Sequence, residues 1–214
     1  MVEIIKKGKA LESAVNALKE GRIVAYPTET FYGLAVDPFN KKALEKLFKV
    51  KGRSPEKPIG LIISDIKMVG LVAKKPWPPL LGKLSKEYWP GPLTIILNAK
   101  DSLPKILTGG TEKIALRVSS NLTARKLSNK FALPITATSA NPEGKPPATS
   151  PEEVLSYFED KVNILIDEGR LKAKQPSTII DLTETYPQNQ MPRIIRGGEI
   201  TESEIFDFLE KNNH

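Results

Sequence analysis

Short, almost unbroken runs of Val, Ile and Leu alternate along this chain with segments of helical periodicity. The runs are RIVAYP, PIGLIIS, LTIIL, IALRV, PITAT, VNILI, STIIDL and RIIR. Solid apolar runs of this length predict strands buried on both faces, because a half-exposed strand would alternate apolar with polar. Between them, ALESAVNALKE sets Leu11, Val15 and Leu18 on one helical face and Gly21 stops it; KKALEKLFKV turns Leu44, Leu47 and Phe48 inward. PPLLGKLSKEYWPGP predicts a helix ended by Pro90-Gly91-Pro92, and further helices are expected near 121–131, 151–158 and 202–211. Strand–helix alternation of this kind predicts an α/β domain around a twisted mixed sheet flanked by helices. No repeat, low-complexity segment or linker divides the 214 residues.

Composition removes whole classes of chemistry. The chain has no cysteine, and its one histidine is the terminal His214. Thiol nucleophiles, disulfides, Cys/His zinc sites and Ser–His–Asp triads are therefore excluded. Catalysis is left to Lys, Arg, hydroxyls, amides, carboxylates, backbone groups or a weakly held ion such as Mg²⁺. A formal charge of +7 suits an anionic partner, nucleic acid or phosphate-bearing small molecule, and equally suits a lysine-rich solvated surface. No run approaches the ~18–20 apolar residues of a membrane helix. The start, MVEIIKKGKALESAV, lacks a signal-peptide pattern, which predicts a cytoplasmic protein with no membrane association.

The common nucleotide cradles GxxxxGK[ST] and GxGxxG and the GxSxG elbow are absent. Four other segments follow or end apolar strands, where α/β sites form. In YPTETFYGL, Thr28 and Thr30 offer hydroxyls to a ligand, or else cap a strand-to-helix turn. In KVKGRSPEKP, Lys51 and Arg53 flank Gly52 and can converge on one phosphate, or else form a solvated basic turn. In KIALRVS, Arg117 interrupts an apolar strand and needs either a protein carboxylate or a carboxylate ligand. In TATSANPEGKPPATS, Thr136, Thr138, Ser139 and Asn141 crowd a strand end. Ser150, Pro151 and Glu153 open the next helix as cap, first residue and capping box. Pro142, Pro146 and Pro147 stiffen the middle, which argues for a site loop with a flap hinged near Gly144 rather than a flexible linker.

Taken in order, PTETFYGLAVDP, KGRSPEKP, WPGPLTIIL, ALRVS, TATSANPEGKPPATS, PSTIIDLT and IIRGGEI resemble the YrdC/Sua5 family, the L-threonylcarbamoyladenylate synthases, from about residue 9 to about residue 200. The resemblance implies a YrdC-like single domain with a positively charged cavity over residues 1–200, and a helix over 201–214 packed on it. It implies synthesis of threonylcarbamoyl-AMP and pyrophosphate from L-threonine, bicarbonate and ATP with Mg²⁺, for t6A at position 37 of tRNA. A t6A transferase complex would act downstream, and tRNA would bind weakly if at all. Carried over residue by residue, the KxR and SxN signatures fall on Lys51–Arg53 and Ser139–Asn141. Lys51 and Arg53 would be catalytic; Arg53, Lys57, Lys113, Ser139, Asn141 and Arg196 would hold ATP. Thr30, Ile62, Arg117, Ala137 and Ser177 would form the threonine pocket, with Arg117 on the carboxylate. No protein metal site is implied.

This sequence departs from the family pattern at Ile62, where a histidine is common, and at Gly197, where proline is common. Ile62 would replace a hydrogen bond with a hydrophobic wall, and Gly197 would loosen its turn. The chain ends near 214, which resembles the short type lacking an additional C-terminal domain. Two alternatives stand beside the synthase: an RNA-binding YrdC/YciO-like paralogue, and a carbamoyl-adenylating relative with another acceptor. Low aromatic content and basic residues at strand ends rather than on one helix face count against RNA binding.

Overall fold

The computed structural model describes residues 2–6, 10–172, 175–184 and 192–211; His214 lies outside them. Among these residues, β1 (Glu3–Lys6) and α1 (Ala10–Lys19) precede a hairpin of β2 (Val24–Tyr26) and β3 (Gly33–Ala35). α2 (Lys41–Lys51), β4 (Gly60–Ile62), the short α3 (Val69–Val72) and α4 (Pro79–Tyr88) follow. Then come β5 (Leu93–Asn98), α5 (Lys105–Thr108), β6 (Lys113–Arg117), α6 (Leu122–Phe131) and β7 (Ile135–Ser139). The last elements are α7 (Pro151–Phe158), β8 (Ile164–Asp167), β9 (Thr178–Asp181), β10 (Arg193–Arg196) and α8 (Glu202–Lys211).

The strands form one sheet in the order β1-β8-β2-β3-β7-β4-β6-β5-β9-β10. β1/β8, β8/β2, β4/β6 and β5/β9 pair in parallel, and the other neighbours pair antiparallel, so the sheet is mixed as expected. Helix limits follow from local chemistry. The Asn40 side chain accepts from the Ala43 N–H at 3.1 Å to start α2, and Gly52 ends it at φ +62°. Asn121 caps α6 and Ser150 caps α7. Glu153 accepts from the Thr149 N–H at 2.7 Å, one residue earlier than the capping box anticipates.

Two apolar layers sandwich the sheet. On one face, α1 and α6 cover Val24, Tyr26, Ala35, Ile62, Ile135, Ile164 and Ile166. On the other, Leu61, Leu93, Ile95, Leu97, Ile114, Leu116 and Ile180 pack with Leu44, Leu47, Phe48, Leu81, Leu84, Ile205 and Leu209. α8 adds an edge-to-face contact of Phe208 with Tyr88, whose O–H donates to the Glu204 carbonyl at 3.1 Å.

The apolar runs are not all buried on both faces. The layer under α1 and α6 takes no residue from β5, β6 or β9. Ile62 registers beside Arg117, and Ile96 beside Ala115 and Asp181, so one face carries Thr94, Ile96, Lys113, Ala115, Arg117, Ile179 and Asp181. Ile96, Ala115 and Ile179 are partly exposed on it. This half-face lies outside the layer that α1 and α6 cover, and Arg117 at its end reaches the cavity described below.

Two strands go beyond the sequence reading. β1 is an exposed edge strand, so no burial pattern marks it. β3 is three residues of a hairpin that replaces the expected strand-to-helix turn. No helix among the described residues is long and apolar enough to cross a membrane.

Candidate active site

A cavity of about 170 Å³ opens where the hairpin loop, the ends of β6 and β7 and the segment before β9 meet. Thr30, Arg117, Ala137, Ser139, Ser177 and Arg196 line it, together with Tyr26, Phe31, Tyr32 and Pro147. Thr28 shapes the hairpin loop: its hydroxyl accepts from the N–H groups of Thr30 (3.1 Å) and Phe31 (3.2 Å) and donates to the Phe31 carbonyl (2.7 Å). Such local hydroxyl bonds hold backbone outside helix or sheet. They place Thr30 and Glu29 against the end of β6.

There Arg117, 8% exposed, donates from Nη1 to Glu29 Oε1 at 2.6 Å and to Thr30 Oγ1 at 3.3 Å. The second Glu29 oxygen accepts from the Ser119 hydroxyl. Of the two partners left open for this mid-strand cation, the structure shows the protein carboxylate.

Opposite Arg117, Arg196 donates from Nη2 to the Ser177 carbonyl at 2.7 Å and to Ser177 Oγ at 3.1 Å. Ser177 Oγ also lies 2.9 Å from Thr94 Oγ1. Burial, and then the nearby Arg117 charge, holds the Arg196 guanidinium below its ordinary range. A bulge between Ile194 and Arg196 redirects this residue. Gly198 permits the approach, because a Cβ there would stand 2.3 Å from the Pro176 carbonyl oxygen. Gly197 faces open space, so the tight turn depends on Gly198 and not on the position that departs from the family pattern.

The KGR and SAN segments meet, but not as expected. Lys51 is 3% exposed, and its Nζ donates to the carbonyls of Ser139 and Asn141, each at 2.5 Å. Burial, with the Arg53 charge next, pulls its ammonium down to about 7. Arg53 turns away, donating from Nη2 to the Pro58 carbonyl at 2.9 Å and from Nε to the Lys57 carbonyl at 3.2 Å. The two cations take different backbone partners, with Gly52 at φ +62° ending the helix between them, yet stay close enough for the Arg53 charge to act on Lys51. Lys57 pairs with Glu143, whose N–H donates to the Lys51 carbonyl at 2.9 Å. Asn141 donates from Nδ2 to the carbonyls of Pro142 and Lys145, while its buried Oδ1 has no partner. The proline-rich stretch is thus tied back to α2 at several points.

Two further expected site residues lie away from the cavity. Lys113 starts the strand that Arg117 ends, about 13 Å away at strand rise, and pairs with Asp181 at 2.9 Å. Ile62 is fully buried in the layer under α1 and α6, so it forms core and not cavity wall. The wall near it is Tyr26, whose O–H donates to the Thr136 carbonyl at 2.9 Å and whose pKa burial raises. Tyr32 donates to the Gly169 carbonyl at 2.8 Å, and burial pushes its phenol up to about 12. Tyr26, Phe31 and Tyr32 were legible as members of the YPTETFYGL segment, but their apolar bulk gave no signal of ligand contact. Among the described residues, no three His, Cys, Asp or Glu side chains converge as a metal site.

The family model Sua5_yciO_yrdC, described as Telomere recombination, matches residues 16–198. The chain is 36% identical over 192 residues to a threonylcarbamoyl-AMP synthase of Pyrococcus abyssi (strain GE5 / Orsay), covering 90% of this chain but 55% of that relative. It is 39% identical over 175 residues to the enzyme of that name from Methylococcus capsulatus (strain ATCC 33009 / NCIMB 11132 / Bath), covering 81% of this chain and 93% of the relative. The crystal structure of P. abyssi Sua5 complexed with L-threonine superposes at a TM-score of 0.89 with 33% identity, covering 97% of this chain and 60% of that one. This chain thus spans little more than half the length of the archaeal relative. With most of its length matched by the family model and a sheet that superposes on a solved member, the chain belongs to the Sua5/YciO/YrdC family.

Proposed function

We propose that this chain makes threonylcarbamoyl-AMP and pyrophosphate from L-threonine, bicarbonate and ATP in the cytoplasm, as a nucleotidyltransferase supplying the t6A transferase complex that acts on tRNA. The observation that carries the reading is the small cavity in which a nearly buried arginine faces hydroxyls of Thr30 and Ser177. A cationic end of defined shape with hydroxyls beside it suits an amino acid that carries a hydroxyl. Relatives named threonylcarbamoyl-AMP synthase, one of them covered over 93% of its length, support the same substrate.

In this reading Arg117 takes the threonine carboxylate. Its bonds to Glu29 and Thr30 both leave from Nη1, and a guanidinium has further donors for a second carboxylate. Thr30, Ala137 and Ser177 enclose the rest of the amino acid. The threonine amine attacks bicarbonate or the CO₂ it releases, giving a carbamate; water leaves when bicarbonate is the source. A carbamate oxygen then attacks the α-phosphorus of ATP, and the bond to pyrophosphate breaks. Ser139 and Arg196, which line the cavity, would meet the nucleotide together with Asn141, and Arg53, Lys57 and Lys113 would reach its phosphates from further out. Their charges oppose the negative charge developing on the leaving group. Lys51 acts through the Ser139–Asn141 backbone that it holds. Mg²⁺ has no carboxylate cage among the described residues and would enter on the ATP phosphates as part of the substrate.

The test is pyrophosphate release from ATP with Mg²⁺ and bicarbonate. Release that requires both L-threonine and bicarbonate is expected. Folded, ATP-binding protein that releases none would overturn the reading.

A further inference from the structure

A second cavity, of about 330 Å³, lies on the far side of the strand end that carries Arg117. The turn after β4 supplies Ser64, Asp65 and Ile66; the end of α4 supplies Ser85, Lys86 and Trp89; Val118 and Arg125 complete it with Pro90. Its size falls in the range of small-molecule pockets, ~300–1,000 Å³, and its makeup is of the same kind, an apolar wall with a few polar groups. We infer that it is a binding site for a small organic anion, a carboxylate or phosphate ester carrying a flat apolar body.

The charge pattern carries the anion. Arg125 makes no ion pair among the described residues, and its Nε is shielded from water without any hydrogen-bond acceptor. The terminal N–H groups of its planar guanidinium are left to meet the two oxygens of an anion in the cavity as a fork. Lys86 stands at the rim with the same sign, and the Ser64 and Ser85 hydroxyls stand beside it. Asp65 is the one acidic lining residue, and its carboxylate is already engaged: Oδ1 accepts from the Lys67 N–H at 2.7 Å and Oδ2 from the Ser64 hydroxyl at 3.3 Å.

The flat body follows from Trp89. Its indole N–H donates to the Leu93 carbonyl at 2.7 Å, so the ring is fixed as a wall before any ligand arrives. The cavity is also built into the candidate active site from behind. Val118 is flanked by Arg117 and Ser119, both of which hold Glu29, and its carbonyl accepts from the Gly91 N–H at 2.8 Å.

The site is tested without catalysis. The chain has two tryptophans, Trp77 and Trp89, so the indole region of a ¹H–¹⁵N spectrum holds two signals, assigned with Trp77→Phe. Phenylacetate and phenyl phosphate are titrated, with neutral phenylacetamide as the matched control, in the absence of ATP. A saturable shift of the Trp89 signal by at least one anion, and not by the amide, is expected. Phenylacetate alone would mark a carboxylate site and phenyl phosphate alone a phosphate ester site. Arg125→Gln should weaken the response by about ten- to a hundredfold, the worth of a hydrogen-bonded charge. No saturable shift from either anion, an equal shift from the amide, or an undiminished response in Arg125→Gln overturns the inference. So does loss of the shift on saturation with L-threonine, which would place the anion at Arg117 instead. The anion–amide comparison is made on the unaltered protein and does not depend on how the variant folds.

Discussion

Replacing Lys51 with methionine separates a phosphate-gripping lysine from a buried strut. The Lys51 ammonium, 3% exposed, is pulled from 10.5 to about 7 by burial and then by Arg53. Between those values the unfolded chain holds a proton that the folded chain has released. Stability therefore rises with pH across this window, by at most about 1.4 kcal/mol per unit. Below it, the folded state carries the burden of a buried charge. From about pH 7 to about pH 9 the gain integrates to about 2 kcal/mol. Methionine does not titrate, so the difference in unfolding free energy between wild type and Lys51→Met should move by that amount in favour of wild type. The neutral amine still has two N–H groups for the Ser139 and Asn141 carbonyls at 2.5 Å. Methionine leaves both carbonyls unpaired, at about 1–3 kcal/mol each. Urea unfolding at the two pH values reads both effects. A difference that stays flat with pH, together with a selective fall in ATP affinity, would refute the strut and restore the phosphate role.

Arg53→Ala should fold normally and lower threonine-dependent pyrophosphate release by about a hundredfold, the effect of losing one donor that stabilises developing charge; full activity would remove Arg53 from the mechanism. Arg117→Ala leaves Glu29 in a largely buried site without its ion-pair partner, and should lower unfolding free energy by about 3–5 kcal/mol, measured in urea. Gly198→Ala drives a methyl group into the Pro176 carbonyl, so a loss of about 1–3 kcal/mol with weakened threonine binding is expected by calorimetry. Ile62→Ala opens a cavity in the core and should destabilise by about 2–5 kcal/mol. It should leave the preference for threonine over serine unchanged; a changed preference would put Ile62 back in the pocket wall.

What could be read in the sequence divides along a physical line. The helix of KKALEKLFKV was legible from the spacing of Leu44, Leu47 and Phe48, and that over 151–158 from Ser150, Pro151 and Glu153, because those signals lie within a few residues of one another; the caps Asn40 and Asn121 emerge only in the structure. The central strands were legible from the same kind of local signal. β1 was not, since an exposed edge strand has no burial pattern to display. The candidate site was legible as segments but not as distances. Lys51 and Arg53 are two residues apart, but a left-handed glycine ends the helix between them and each takes its own backbone carbonyls, which the spacing alone does not tell. Lys113 and Arg117 share a strand face, and periodicity places them together on it but not near each other.

The apolar runs of β5, β6 and β9 misled for an instructive reason. A run such as LTIIL predicts burial on both faces only if both faces are covered, and coverage is decided by helices elsewhere in the chain. α1 and α6 pack over β8, β2 and their neighbours and stop short of β5, β6 and β9. Ile96, Ala115 and Ile179 therefore form an apolar floor open to solvent, flanked by the Lys113–Asp181 pair and by Arg117 and Ser177. A cation beside an apolar surface is best held by a carboxylate, and that is how Arg117 and Lys113 are held, by Glu29 and Asp181. The same uncovered surface that breaks the burial rule is an apolar platform bordered by charges already fixed in place.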